Sequence, residues 1–475
     1  MLPSLFPLSQ ENLFMNSQPL ENSLRSAFLI SIVILTLMTA ALRWIVAGPV
    51  AGAVPLLGAA AIALAWLVLN RTVPMLGIVL AIMPMHYIAL ALGTFYGLPH
   101  MITMATAMSE IPLLLLTFIL WRRNGLRLGA PDWFLVAFFT IAVIRTAFGG
   151  GIKGFVEDFS FLIPYAAGRV TVLTGAQDRL WAKRAVWIAA VLSAVGLVEF
   201  FILGNGPRRA LYALVFPEEG LPDFFGASGL EGMREASIMS TPTVFAALCM
   251  VALIIWWVYL RNPIPAAIVF GGLLTAVTRS AWIGTAVAIS VLALRLGQKK
   301  RLAIYALLGI LVFAAAVPIL GIRDYIFFTR TGQDDSQQVH RASLAAGLDH
   351  VVSHPLGTGA ESVGPRIVAR DSAAMHIESS YLILAAQYGL LAGLCFVGFV
   401  LTAIHRTWII CTPLGYVATA ILMGFGIMMF FLPMHDDFPL DCWVWFPIGL
   451  TVRSALDQGT PAVSGSPQRL GRGTA

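Results

Sequence analysis

Charge is what this chain has least of. Only 11% of its 475 residues are Asp, Glu, Lys or Arg, against about 25% in a soluble globular domain, which excludes a water-soluble surface of ordinary extent. Cysteine is rare as well, at four residues. Cys249, Cys395, Cys411 and Cys442 stand singly in or beside apolar runs with no C-x-x-C spacing, which excludes a disulfide framework and a zinc ribbon. No clear internal repeat is present, so the chain lacks the signature of many transporters. What remains is 58% hydrophobic with a mean hydropathy of +0.83, the composition of a polytopic membrane protein. The net charge of +6 does not call for nucleic acid. The basic residues fall largely in short loops between apolar runs, where membrane orientation explains them.

Met1 to Asn22 is polar and holds Pro3, Pro7 and Pro19, and it is too weakly basic at its front for a secretory signal. Residues 1–24 read as a cytoplasmic tail, 25–456 as one transmembrane domain, and 457–475 as a disordered cytoplasmic tail. Apolar runs at 27–47, 50–69, 73–95, 101–121, 132–148, 156–174, 181–203, 238–260, 263–278, 280–296, 302–321, 377–404, 413–432 and 442–456 predict about 12–14 membrane-crossing helices, each run being judged against roughly 20 residues per crossing. The run 156–174 carries Glu157, Asp158, Pro164 and Arg169 and reads as a broken or re-entrant segment. On this count Arg71, Arg122 to Arg127, Lys183 with Arg184, Arg261, Lys299 to Arg301 and His405 with Arg406 fall on one side, the cytoplasmic one. The long polar segments 204–237 and 322–376 then fall outside, and loops of that length usually carry function.

Within this frame Arg279 stands out, because it separates two apolar runs that carry no charge until Arg295 near the far end of the second. A charge near lipid is kept mainly when it pairs, snorkels or meets a ligand. A snorkelling arginine at a helix end is the plain alternative. The first external loop ends in Gly232-Met233-Arg234-Glu235, and the second carries Arg323, Arg330, His340, Arg341, His350, His354, Arg366, Arg370 and His376 with seven carboxylates between Asp324 and Glu378. From Ser336 to His350, Val339, Leu344 and Leu348 recur at helical spacing, which predicts an amphipathic helix near the membrane surface. Met434 to Asp437 with Asp441 could ligate a divalent cation, as could Asp334-Asp335. For the first, an exposed turn flanked by Pro433 and Pro439 needs no ion; for the second, the supply of arginines makes a metal unnecessary, and no metal site is predicted. Of the charged residues inside the runs, Glu110 and Arg145 could pair between spans.

Thr278-Arg279-Ser280, then His354-Pro355-Leu356-Gly357-Thr358-Gly359, then His376-Ile377-Glu378-Ser379-Ser380-Tyr381-Leu382 running into Gln387-Tyr388-Gly389-Leu390 resemble, in that order and spacing, the O-antigen ligase and Wzy-type polymerase family. The resemblance covers roughly 230–405. The family often shows His-Asn-x-Tyr-Leu; here Glu378 takes the histidine's place and His376 lies two residues earlier.

The resemblance implies an all-α, C-type-glycosyltransferase-like membrane enzyme of the bacterial inner membrane, with its active site facing the periplasm. It would transfer a glycan from undecaprenyl diphosphate with no cofactor and without a metal, its other partners being membrane lipid and a polysaccharide chain-length regulator. Arg279 and His376 or Glu378 would be catalytic. Arg234, Arg341, Arg169 and Tyr381 would bind substrate, the arginines because their forks suit phosphate oxygens. The altered histidine motif favours a polymerase over a ligase. A flippase or secondary transporter is the rival class, and it fits less well because the dense polar chemistry lies in loops.

Overall fold

In the computed structural model, residues 105–203, 237, 241–319, 335–368, 375–435 and 440–458 are described. The runs before residue 105, Arg234 and nearly all of the first long loop, Asp334, Asp436, Asp437 and the C-terminal tail lie outside them. The described elements are α1 (Ala105–Asn124), α2 (Ala130–Gly149), α3 (Ile152–Asp158), α4 (Leu162–Val170), α5 (Gly175–Val198) continuing as a π-turn over Glu199–Leu203, α6 (Pro242–Tyr259), α7 (Pro263–Thr275), α8 (Arg279–Arg295), α9 (Lys299–Ile319), α10 (Asp335–Ser353), α11 (Pro365–Val368), α12 (Ser380–Tyr388), α13 (Leu390–Trp408), α14 (Pro413–Phe431) and α15 (Asp441–Gln458). Among the described residues there is no strand, only an isolated bridge between Val363 and Met375. The protein is an all-α, multi-pass membrane protein. Five of the described helices are long and apolar enough to cross a membrane: α2, α5 with its π-turn, α6, α13 and α14.

Helix starts are written in the sequence. Thr241-Pro242, Asn262-Pro263 and Thr412-Pro413 each put a capping side chain before a proline at the first helical position, and each cap accepts a backbone N–H at 3.0–3.2 Å. Such a cap satisfies a donor the helix itself cannot, while proline lacks the donor that would be orphaned. Helix α6 is apolar on every face and is buried from Val244 to Trp257, as a helix enclosed by others must be. It packs against α5, α7, α8 and α14. Helices α8 and α14 come closest at Gly284 and Gly424, where a Cβ on either would stand 2.8 Å from the other's carbonyl oxygen; only glycine allows that approach.

The basic helix ends gather at one end of the bundle. There Arg295 lies between the rings of Trp408 and Tyr416 at 4.6 and 4.7 Å and donates to Thr419. Arg301 stacks on Trp257 at 4.3 Å, and Arg453 donates to the carbonyls of Asn124 and Gly125. Aromatic faces and helix-end carbonyls hold these cations without burying a bare charge.

Two apolar runs are interrupted. The run 156–174 divides into α3 and α4, in agreement with its polar content. The run 377–404, expected as one span, is instead broken at Gly389 into α12 and α13. The cause is tertiary and belongs to the site.

Candidate functional site

Arg279 is the first residue of α8, reached through a tight turn from α7. Val277 in that turn has φ +46 and is fully buried. A β-branched residue in the left-handed region costs about 1–3 kcal/mol and persists only where its surroundings impose it. Those surroundings include the Val277 N–H donating to Leu274 O at 3.1 Å, the Thr278 hydroxyl donating to Ala276 O at 3.1 Å, and Trp282 Nε1 donating to Leu273 O at 2.9 Å. The strain is thus spent on fixing where α8 begins, and with it the half-buried Arg279.

Opposite stands α10, which realises the helix expected over Ser336 to His350. Val351, Val363, Ile377, Ile383, Ala385 and Ala386 form a small apolar core that seats α10 on α12. Over that core the segment 375–379 runs extended, held by Gly364 N–H to Met375 O at 3.1 Å and by Glu378 N–H to Ser343 Oγ at 2.9 Å. The Glu378 carboxylate is therefore fixed against α10, and an imidazole meets each of its oxygens. His376 Nε2 lies 3.0 Å from Oε1, and His340 Nδ1 of α10 contacts Oε2. Burial lowers the pKa of His340, and the charges of Arg279 and His376 lower it further; burial alone lowers that of His376. Both imidazoles are thereby biased toward the neutral form, and Arg279 is near enough to His340 for its charge to act there. Such an array can accept a proton from a hydroxyl and offer a guanidinium to an anion.

The helix break supports this array from below. Gly389 has φ +100, and a Cβ there would stand 2.9 Å from the carbonyl carbon of Leu356. The His354-Pro355-Leu356-Gly357-Thr358-Gly359 loop fits into the gap. Thr358 N–H donates to Ala386 O and Gly359 N–H to Gln387 O, both at 2.9 Å, while Leu390 N–H donates to Pro355 O at 2.8 Å. Backbone groups left over by the broken helix are thus satisfied by the loop, which a buried break requires. Gly357, at φ +78, would put a Cβ 2.4 Å from Gly389 N. Arg145 of α2 donates to Gly357 O at 2.5 Å, and this contact is where the described structure takes its charge; the Glu110 side chain, its expected partner, lies outside the description.

Of the other expected residues, Tyr381 follows the site on α12 and donates to Gly426 O at 3.3 Å. Arg341 is exposed and adjoins His340 on α10, so it leaves the helix about 100° away from the face that meets Glu378. Arg169 stands apart from Arg279. It is 1% exposed at the far end of α4, donating through Nε and Nη2 to Asp132 at 2.9 and 2.8 Å and also meeting the Arg127 carbonyl. Its fork is spent on a buried ion pair beside the Arg122–Arg127 turn, so it is corrected from a substrate arginine to a structural one. Arg234 lies outside the described residues. His340, unmarked among the loop's many cations, is the residue the sequence reading missed. The signal available was its helical i, i+3 spacing to Ser343, the residue that anchors Glu378.

The described helices thus bring an arginine, two histidines and a carboxylate together at one end of an apolar bundle. Residues 264–397 match the family model described as O-antigen ligase, so this part of the chain is similar to the O-antigen ligase and Wzy-type family. The match spans Arg279, His340, His376, Glu378 and the broken helix. It supports a role in polysaccharide ligation or polymerisation by glycosyl transfer. No curated protein matches the chain.

Proposed function

We propose that the protein is a bacterial inner-membrane polysaccharide polymerase that transfers a glycan from undecaprenyl diphosphate to a sugar hydroxyl of a second lipid-linked glycan at the periplasmic face. The observation that carries this reading is the Glu378 carboxylate held between two imidazoles with Arg279 beside them. In the reaction the acceptor oxygen forms a bond to the anomeric carbon as the bond from that carbon to the diphosphate oxygen breaks. The hydroxyl proton passes to His376 at Nδ1, because Nε2 faces Glu378. Glu378 orients that imidazole and stabilises its cation, as a carboxylate does behind a general-base histidine. The departing diphosphate gathers negative charge, and Arg279 supplies a fork of donors that cannot deprotonate. Arg341, Tyr381 and Arg234 are proposed to hold the glycan or diphosphate from the rim. The arginines make a metal unnecessary in this reading.

The gathering of basic residues at the opposite end of the bundle supports a periplasmic site by charge bias, and a chain-length regulator is the partner a polymerase would have. Ligation to lipid A core is the second reading, favoured by the family description itself. A deletion strain complemented with wild type, Glu378→Gln or His376→Ala tests both. Loss of a general base is expected to lower transfer by about 10²- to 10⁴-fold. Single repeats on lipid A core in the deletion strain mean that a polymerase is lost. Accumulated lipid-linked polymer means that a ligase is lost, and wild-type activity in both variants would defeat the site.

A further inference from the structure

We propose that Arg145 holds the phosphate of an anionic, two-chain phospholipid where the end of α2 meets the Pro355–Gly359 loop. Helix α2 has 20 residues. At about 1.5 Å per residue that is about 30 Å, the thickness of the hydrocarbon core of a bilayer. Most of the helix is left uncovered by the other described elements, so its surface meets acyl chains. Its start adjoins the basic Arg122–Arg127 turn, and Arg145 lies one turn before its last residue, Gly149. Arg145 therefore stands about 6 Å inside the opposite boundary, a depth from which a long side chain reaches lipid phosphate. Its surroundings are apolar. Phe148, at i+3 on the same helix face, is 85% exposed, and Leu356, the neighbour of Gly357, is 80% exposed. The end of α2 sits against the loop at Gly359, and the loop sits against the start of α13 through Leu390 N–H donating to Pro355 O. Ile152 and Leu391 on the flanking helices are exposed as well, so the uncovered apolar surface runs around the arginine.

The guanidinium is fixed without being satisfied. Nη2 donates to Gly357 O at 2.5 Å, Nε is buried without an acceptor, and among the described residues no carboxylate meets the side chain. Most of its donors are left over. A snorkelling arginine carries its charge out to water. This one is half-buried and turned onto the loop. A charge so placed is kept when a counter-charge meets it, and a phosphate at headgroup depth offers acceptor oxygens that match the fork. There is room for one, since a Cβ at Gly150, just past the end of α2, would meet nothing within 4 Å. A zwitterionic headgroup brings its own cation to its phosphate, so an anionic lipid gains more from the arginine. Its acyl chains would cover Phe148 and Leu356. An occupied site would tie the surrounding leaflet to the loop that fills the helix break. The inference does not rest on the proposed reaction.

The test puts a thiol-linked fluorophore at Leu356→Cys in the full chain, with Cys395→Ala and Cys411→Ser, in phosphatidylcholine vesicles. A doxyl quencher is carried on the acyl chain of either phosphatidylglycerol or phosphatidylcholine. Half-maximal quenching is expected at about a fivefold lower mole fraction of the labelled phosphatidylglycerol, the factor that one basic residue supplies toward an anionic lipid. Arg145→Gln should bring the two lipids to the same value. Arg145→Lys, which keeps a donor for Gly357 O if the glutamine form fails to fold, should lower the preference by losing the fork. Equal quenching by the two lipids in the chain that retains Arg145 overturns the proposal. So does a preference undiminished in either folded variant, which would belong to another cation. Loss of the preference on adding inorganic phosphate at constant ionic strength, or undecaprenyl phosphate, would assign the arginine to those ligands and overturn it as well.

Discussion

Arg279, expected to be catalytic, and Arg169, expected to bind substrate, are parted by their surroundings. Arg169 is buried against Asp132 with Tyr165 donating to the same carboxylate at 2.9 Å, so its charge is already matched. Arg279 sits half-buried at a helix start near His340, whose pKa it helps to lower. If it grips the leaving diphosphate, Arg279→Lys keeps the charge and loses the bidentate fork. Turnover at matched protein levels should then fall about a hundred- to a thousandfold, by analogy with removal of an oxyanion donor. Wild-type turnover from the lysine form would leave a snorkelling arginine. Acid should weaken the same region. His340 and His376 have pKa values below their ordinary 6.5 in the folded protein, so the unfolded chain binds more protons across that window. Stability therefore rises with pH there, and it falls as pH drops from about 6.5 toward the lowered folded values. Thermal unfolding of wild type and His376→Gln between neutral and mildly acid pH should show a smaller acid loss in the variant.

At the scale of elements, the break between α12 and α13 decides where Glu378 stands. Ser380, at the start of α12, donates through its hydroxyl to Leu432 O and accepts from Met434 N–H, both at 2.8 Å, which ties α12 to the end of α14. At its other end Tyr388 donates to the buried Asp158 at 2.7 Å. A nine-residue helix is too short to hold itself, and these contacts with the inserted loop hold it. Gly389→Ala forces a side chain into a left-handed position and against Leu356. It should cost about 1–3 kcal/mol in backbone strain alone, seen as a lower unfolding temperature, with transfer activity falling because α12 carries Glu378 at its threshold. Full activity and unchanged stability in Gly389→Ala would mean that the loop does not set the site.

For the whole molecule the two ends differ in kind. One end collects arginines against tryptophan rings and helix-end carbonyls, and the other carries α10 and the histidine cluster. In the proposed orientation the first end faces the cytoplasm, and native cysteine offers a check. Cys411, exposed in the turn between α13 and α14, should react with a membrane-impermeant thiol reagent only after the inner membrane is opened. A cysteine at the exposed Ala345 of α10, in a Cys411→Ser background, should react in cells with only the outer barrier permeabilised. The reverse pattern would invert the orientation and remove the site from the periplasm.

Apolar runs, their lengths and the Thr-Pro and Asn-Pro caps determined by themselves that this chain is a helical membrane protein and where most helices begin, because both signals are local. Arg279 was legible for the same reason, as a charge where the flanking residues have none. The partition of 377–404 into two helices was not legible, since it depends on a loop some thirty positions earlier donating to Ala386 and Gln387. His340 was hidden likewise: its meaning comes from Glu378, 38 positions away in sequence. Arg169 and Arg279 carry the same side chain, and only packing set one against a buried carboxylate and the other near the His340 imidazole. Local patterning sets the helices, and long-range contacts, which no window of sequence contains, decide which polar groups meet.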